Sequence, residues 1–201
     1  MAGEKKVFET KQESLEDYKK YIKEHIDAVI KAFDLFGVKL TEYVCTHRDD
    51  GRHEDSTVVY NTLSNIISTH DHTKYGIEEF EAYRAKWHPC KEDLENPFQV
   101  RENFEAAWKH HYSHNFHHPE YWVVNSNGKT IIMRMSKVAF IEMLCDWIAM
   151  SMVRNQNVAD WWNSPGGKKE KSEIMDDQDV KLIDEILHRY KRDFDFTIKE
   201  A

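Results

Sequence analysis

The sequence predicts an all-α fold, a helical bundle that carries one small β-hairpin near residues 121–133. The chain of 201 residues contains only 7 Gly and 4 Pro, and apolar residues recur at steps of three and four along most of it. No alternating apolar and polar pattern extends beyond a few residues. With 6 Trp, 9 Tyr and 10 Phe, the chain can fill a hydrophobic core. We expect a flexible N-terminus over residues 1–13, one domain over 14–192 and a tail over 193–201.

The first predicted helix begins near Ser14, in a Ser-Leu-Glu-Asp sequence that resembles a capping box, and it ends at Gly37. The polar residues 41–56 include an Asp-Asp-Gly turn signal and indicate an exposed loop. Asn96 and Pro97 form a typical helix start. The other predicted elements are helices over 57–69, 77–87, 96–115, 136–152 and 177–190, strands over 121–124 and 130–133, and a flexible loop over 164–173.

Composition excludes several classes of protein. The formal net charge is −8 and the pI is near 5.8, which disfavours general nucleic-acid binding. No apolar run approaches the ~18 residues of a membrane span, so we expect no membrane partner. The charged residues 1–20 do not form a signal segment. Cys45, Cys90 and Cys145 are far apart and form no Cys-x-x-Cys motif, which disfavours disulfides and a cysteine zinc site and indicates a cytoplasmic protein.

Ionisable residues occupy positions on apolar helical stripes. His25, His70 and His111 each continue a stripe with steps of four and three, Asp71 follows His70 directly, and Asp146 lies in the most apolar helix. Each histidine taken alone is typical of a hydrogen-bonded core residue, and Asp146 alone is typical of a cap or an ion-pair partner. Together they indicate a metal site, because a buried charge is costly unless it is paired or ligates a metal. Imidazole and carboxylate suit Mn, Fe, Co, Ni or Zn.

Four ordered motifs carry a resemblance to a known family. The first is Tyr-Ile-Lys-Glu-His at 21–25, and the second is His-Asp-His-Thr-Lys-Tyr at 70–75, followed by Glu79, Phe80 and Tyr83. The third begins with Ala-Trp-Lys-His-His at 107–111 and continues with Asn-Phe-His-His at 115–118 and Tyr-Trp at 121–122. The fourth is Glu-Met-Leu-Cys-Asp-Trp-Ile at 142–148. These segments resemble those of the domain-of-unknown-function family five-six-six-two of bacteria and phages, over residues 14–190. The chain departs from that family in the long polar segment 39–57 and at Pro119 and Glu120.

The order His, His-Asp, Asp also resembles the signature of the HD-domain superfamily of metal-dependent phosphohydrolases, which implies an HD-domain-like helical bundle. The resemblance implies that one divalent metal ion is bound by His25, His70, Asp71 and Asp146. His111 and His118 are the expected ligands of a second ion that Asp71 bridges, with His117 as the alternative to His118.

Chemistry gives roles to further positions around these ligands. Asp71 and Lys74 are predicted to act in catalysis, Lys74 by binding substrate phosphate, although a surface lysine is equally consistent with the sequence. Glu142 is predicted to be a proton shuttle or the partner of a ligating histidine. Three residues are predicted substrate contacts, namely Asn115 (alternatively a helix cap), His117 and Arg134.

The resemblance implies a metal-dependent phosphohydrolase that attacks a small phosphate ester with metal-bound hydroxide, and a nucleotide is the expected ester. Its cofactors would be one or two divalent transition-metal ions. Two alternatives stay open. One is a diiron HD-fold oxygenase, because the chain can supply a six-ligand set. The other is a non-catalytic binding module that a metal stabilises.

Overall fold

A computed structural model describes residues 6–48, 51 and 54–197. It confirms the predicted all-α fold with one small hairpin. The helices are α1 Lys11–His47, α2 Ser56–Ile66, α3 Phe80–Trp87, α4 Pro97–His114, α5 Lys137–Val153, α6 Val158–Trp162 and α7 Asp177–Arg189. Single 3₁₀ turns occupy Ile67–Thr69, His72–Tyr75, Lys91–Leu94 and Pro119–Trp122, and a π turn occupies Pro165–Lys169. Among the described residues, no helix combines the length and the apolar character that crossing a membrane requires.

Helix α1 begins earlier than predicted, because its capping box is formed by Thr10 and Glu13. The Glu13 N–H donates to Thr10 Oγ1 at 3.2 Å, and the Thr10 N–H donates to Glu13 Oε2 at 3.0 Å. Ser14 lies inside the helix, where its buried hydroxyl donates to the His88 carbonyl and accepts from Arg84. The predicted capping role of Ser14 is therefore wrong.

Helix α1 also continues past Gly37, so the predicted loop is wrong over residues 41–47. The apolar stripe continues through Phe33, Leu40 and Val44, all of which are buried. Gly37 lies on the same stripe, and a Cβ at that position would lie 2.6 Å from the Phe33 ring. This glycine makes room for a neighbouring side chain and does not end the helix. Residues 49–50 and 52–53 of the predicted loop lie outside the described residues.

The predicted starts of two site-bearing helices are confirmed by their caps. Asn96 Oδ1 accepts from the Gln99 N–H at 3.1 Å before α4, and Ser136 Oγ accepts from the Ala139 N–H at 3.1 Å before α5. The hairpin is also confirmed, with antiparallel strands β1 Val123–Ser126 and β2 Lys129–Ile132. Its turn residues Asn127 and Gly128 have φ of 51° and 72°, which matches the preference of two-residue hairpin turns for Asn-Gly.

The chain divides into two compact units. The first comprises the chain up to Ile26 together with Asp71–Asn115, and the second comprises Asp27–His70 together with Phe116 onward. The core of the first unit includes Tyr18, Ile22 and Tyr83. The core of the second unit is larger and is built by α1, α2, α5, α6 and α7, with side chains such as Leu40, Leu63, Phe140, Trp162 and Ile183.

Both ends of the described chain are packed. Phe8 is buried in the first unit, where its N–H donates to the Pro89 carbonyl at 2.8 Å and its carbonyl accepts from Lys91 at 3.1 Å. Phe194 is buried in the core of the second unit. Residues 1–5 and 198–201 of the predicted flexible termini lie outside the described residues. The single domain over 14–192 stays a prediction.

Candidate functional site

Three potential metal ligands meet in the second unit. His70 follows the 3₁₀ turn after α2, His117 follows α4, and Asp146 lies on α5. Their ligand atoms lie within 4.8 Å of one another. Both histidines are buried, and the Asp146 side chain is 16% exposed. We call these three residues the histidine–aspartate triad.

Glu142 holds both histidines of the triad. Its Oε1 lies 2.9 Å from His70 Nδ1 and 3.4 Å from His117 Nδ1, and the two imidazole rings are 4.3 Å apart. Burial raises the pKa of the Glu142 carboxyl, but the bonds from His117 and His70 outweigh burial and lower it to about 2. The charged carboxylate therefore accepts from the Nδ1–H groups, which leaves Nε2 as the nitrogen of each ring that can ligate a metal.

A second cluster lies in the first unit and is centred on the buried carboxylate of Asp71. His25 Nε2 lies 3.1 Å from Asp71 Oδ2, and His111 Nε2 lies 3.2 Å from Asp71 Oδ1. The Lys74 ammonium donates to Oδ2 at 2.5 Å. These four residues form what we call the Asp71 cluster, in which one carboxylate is shared by two imidazoles and an ammonium.

The backbone of Asp71 is in the left-handed region, with φ 56° and ψ 16°. Few residue types adopt this conformation at low cost, and aspartate is one of them. Asp71 begins the 3₁₀ turn His72–Tyr75, and the Lys74 N–H donates to the Asp71 carbonyl at 2.9 Å. The turn thereby returns the Lys74 side chain to the carboxylate of Asp71.

Glu79 links the Asp71 cluster to helix α4. Its Oε2 lies 2.7 Å from His111 Nδ1 and accepts from Thr73 Oγ1 at 3.1 Å, and its Oε1 lies 2.7 Å from His110 Nδ1. Burial raises the pKa of Glu79, but the bonds from His111, His110 and Thr73 outweigh burial and lower it. Asn115 supports this arrangement by donating to Thr73 Oγ1 at 2.8 Å.

His111 stands between two carboxylates, since Nε2 faces Asp71 and Nδ1 faces Glu79. Burial lowers the pKa of this imidazole, but the hydrogen bonds to Asp71 and Glu79 outweigh burial and raise the pKa above its ordinary value. An imidazole that donates from both nitrogens is the cationic form. Two facing carboxylates therefore favour the protonated form of the His111 imidazole.

A family model matches residues 14–189, which is most of the chain. The chain belongs to this family. It is described as a family of unknown function, DUF5662, and the membership predicted from the four motifs is confirmed. Searches of curated proteins and of solved structures give no match. The description of DUF5662 names no chemistry, so the chemical evidence on function comes from the two groups of ionisable residues.

The structure distributes the predicted site residues of this DUF5662 chain over both units. The boundary between the units falls between His70 and Asp71, so these neighbours in sequence belong to different units. His118 lies in the second unit with its ring 4.3 Å from that of His117. The triad includes His117, which the sequence predicted as a substrate contact and as the alternative to His118 as a metal ligand. The individual ligand roles stay predictions.

Arg134 has different surroundings from the other predicted substrate contacts. Its Nε donates to Asp179 Oδ1 at 3.0 Å in the second unit, and the buried Arg48 donates to the same carboxylate at 2.9 Å. The predicted phosphate contact of Arg134 stays a prediction.

The sequence predicted no role for Glu79, although Glu79 is part of the motif that follows His70 and Asp71.

Proposed function

We propose that this DUF5662 chain is a metal-dependent phosphohydrolase of the HD-domain type that acts on a small phosphate ester, with nucleotides as the first substrates to test. The observation that carries the proposal is the histidine–aspartate triad with Glu142 behind it. Two imidazoles and one carboxylate suit divalent transition metals, and a carboxylate bonded to the far side of a ligating imidazole orients the ring and raises its basicity. The residues present therefore fit a metal.

His70, His117 and Asp146 would hold the ion. A divalent metal supplies a Lewis acid and lowers the pKa of a water molecule bound to it. Glu142 keeps the Nε2 lone pairs of both histidines available, because its negative charge retains the protons on Nδ1. The triad consequently offers two neutral imidazole ligands without a change of tautomer.

Within the first unit, the Asp71 cluster holds groups of the kinds that phosphate chemistry uses. The Lys74 ammonium is positioned by Asp71 and can bind an anionic phosphate oxygen. In its protonated form His111 can donate a proton to a leaving oxygen, and Glu79 stabilises that charged imidazole. These roles follow from the residues of the first unit alone.

The first experiment is elemental analysis of tag-free protein purified without chelators, on the wild type, His117→Ala and His114→Ala. His114 is the matched control, because it is an exposed histidine that bonds to the His110 carbonyl. We expect about one ion per chain in the wild type and the control, and loss of that ion in His117→Ala. A second ion would support the two-metal site.

The same proteins are then tested for phosphate release from a panel of nucleotides, together with Asp71→Asn. Asparagine tolerates the left-handed backbone at this position, so this variant removes the charge and spares the conformation. We expect release to be lost in His117→Ala and Asp71→Asn and retained in His114→Ala. Protein that stays metal-free after reconstitution, or turnover that His117→Ala leaves unchanged, would contradict the proposal.

A second candidate function is supported by the composition of the triad. Two histidines and one carboxylate are also the ligand set of non-haem iron oxygenases. That set binds one iron, whereas the diiron HD-fold oxygenase would bind a second iron as well, so this alternative predicts about two irons per chain and oxygen uptake without phosphate release. A non-catalytic module would bind the metal and show neither reaction.

A further inference from the structure

A pocket opens at the C-terminal end of helix α5 in the second unit. Its cavity volume is about 120 Å³, and it is lined by Trp147, Met150, Ser151, Arg154, Gln156 and Trp161. This volume is below the ~300–1,000 Å³ of pockets that enclose a drug-sized ligand, so the pocket suits a single ring with the rest of the ligand outside it. Its lining is largely apolar with a few polar groups, as in small-molecule sites. None of these six residues belongs to the triad or to the Asp71 cluster.

The aromatic wall of the pocket is held in place before any ligand arrives. Trp147 contacts Trp161 with ring centroids 5.0 Å apart, and it stacks on Trp162 with centroids 5.4 Å apart. Trp162 is buried, and its Nε1–H donates to Asp184 at 2.8 Å. A ligand that stacks on such fixed indoles has little side-chain ordering entropy to overcome.

Arg154 determines the charge that the pocket accepts. Of the described residues that line the pocket, it is the one with a formal charge, and its side chain is exposed. An indole face alone also attracts cations, but the guanidinium beside it repels them. Arginine binds carboxylates and phosphates through two parallel hydrogen bonds, and Gln156 offers an amide next to it.

We propose that this pocket binds a planar aromatic ligand that carries an anionic group, with the ring on the Trp147–Trp161 wall and the anion on Arg154. Two sources of that ligand share this chemistry. Asp146 precedes Met150 by four residues on α5, so their backbone positions are about one helical turn apart, a rise of about 6 Å. In the first source, the ring is part of a substrate held at Asp146, and this source rests on the proposed function. In the second source, the ring belongs to a separate aromatic acid.

Calorimetric binding tests the pocket without any turnover. The probes are adenosine 5′-monophosphate, indole-3-acetate as an aromatic anion without phosphate, and ribose 5-phosphate as a phosphate without an aromatic ring. The variants are Arg154→Gln and the matched control Arg192→Gln, an exposed arginine outside the pocket. We expect both aromatic probes to bind the wild type and the control, and Arg154→Gln to weaken each about tenfold.

Equal affinity of the aromatic probes for Arg154→Gln and the wild type would overturn the proposal. So would binding of ribose 5-phosphate that Arg154→Gln weakens to the same extent, because the ring would then contribute nothing. Asp146→Asn distinguishes the two sources. If the ring is part of the substrate, this variant weakens nucleotide binding and spares indole-3-acetate. If the ligand is separate, neither affinity changes. A failed phosphohydrolase assay would leave the binding result standing.

Discussion

Arg84 and Asp93 show at the residue scale how the first unit carries a buried charge. The Arg84 side chain is 1% exposed, and its two terminal nitrogens each donate to one Asp93 oxygen at 2.7 Å. The Cys90 N–H donates to the same carboxylate at 2.7 Å. Bidentate geometry of this kind offsets the desolvation of both groups.

Asp93 gives a pH-dependent stability with a defined sign. Burial raises its pKa, but the bonds from Arg84 and Cys90 outweigh burial and lower it to about 2 from the usual 3.8. Because the folded pKa is the lower one, this stabilisation is present above pH 3.8 and is lost as the pH falls toward 2. We predict that Asp93→Asn lowers the free energy of unfolding by about 2 kcal/mol at pH 6, and that its difference from the wild type shrinks below pH 3.8.

Urea unfolding of the wild type and of Asp93→Asn at pH 6 and at pH 2.5 measures this difference. The control is Glu92→Gln, which changes an exposed neighbouring carboxylate. A constant difference across that range would show that the effect of Asp93→Asn comes from shape and not from charge.

Burial at single positions could be predicted from the sequence, whereas partners could not. The stripes placed His25, His70 and His111 inward, and all three are buried. The residue that faces each imidazole is far away in sequence, as with Glu142, which is 72 positions from His70. Local periodicity carries no information about such pairs. Glu142 was predicted only because it lies one turn before Asp146.

At the scale of elements, helix caps and turns could be predicted from local sequence, whereas packing between distant residues could not. The hairpin turn and the caps at Asn96 and Ser136 are local, so a few adjacent residues predict them. Gly37 is ambiguous, because glycine both ends helices and makes room inside them. The Phe33 ring, which packs against Gly37, shows that this glycine makes room inside the helix. That contact exists only once the helix has formed, so the sequence alone does not reveal it.

The C-terminal part of α1 gives a direct test of its burial. We predict that Leu40→Ala lowers the free energy of unfolding by about 2–5 kcal/mol, because Leu40 is fully buried and truncation leaves a cavity. Leu35→Ala is the matched control in the same helix. Leu35 is 55% exposed, so we expect a change within about 0.5 kcal/mol. Chemical denaturation compares the two, and equal effects would contradict the extended buried face.

At the scale of the whole molecule, metal binding should appear as stability. A ligand present at 100 times its Kd adds about 2.7 kcal/mol to the folded state, which for a chain of this size raises Tm by roughly 5 to 10 °C. We predict this shift when the metal found by elemental analysis is added to the stripped wild type and to His114→Ala. Calorimetry of His117→Ala should show no such shift. A shift of the same size in that variant would place the stabilising ion outside the triad.

The left-handed backbone of Asp71 limits which residues can replace it. Glutamate would offer the same charge, but its longer side chain lacks the local hydrogen bonds that make this conformation tolerable for aspartate and asparagine. Glycine and asparagine suit the backbone and lack the charge. Aspartate is thus the one natural amino acid that meets two independent requirements, a side chain compatible with the left-handed backbone and a negative charge. A saturation library at this position would distinguish the two requirements, because selection for folding and selection for activity would retain different sets of residues.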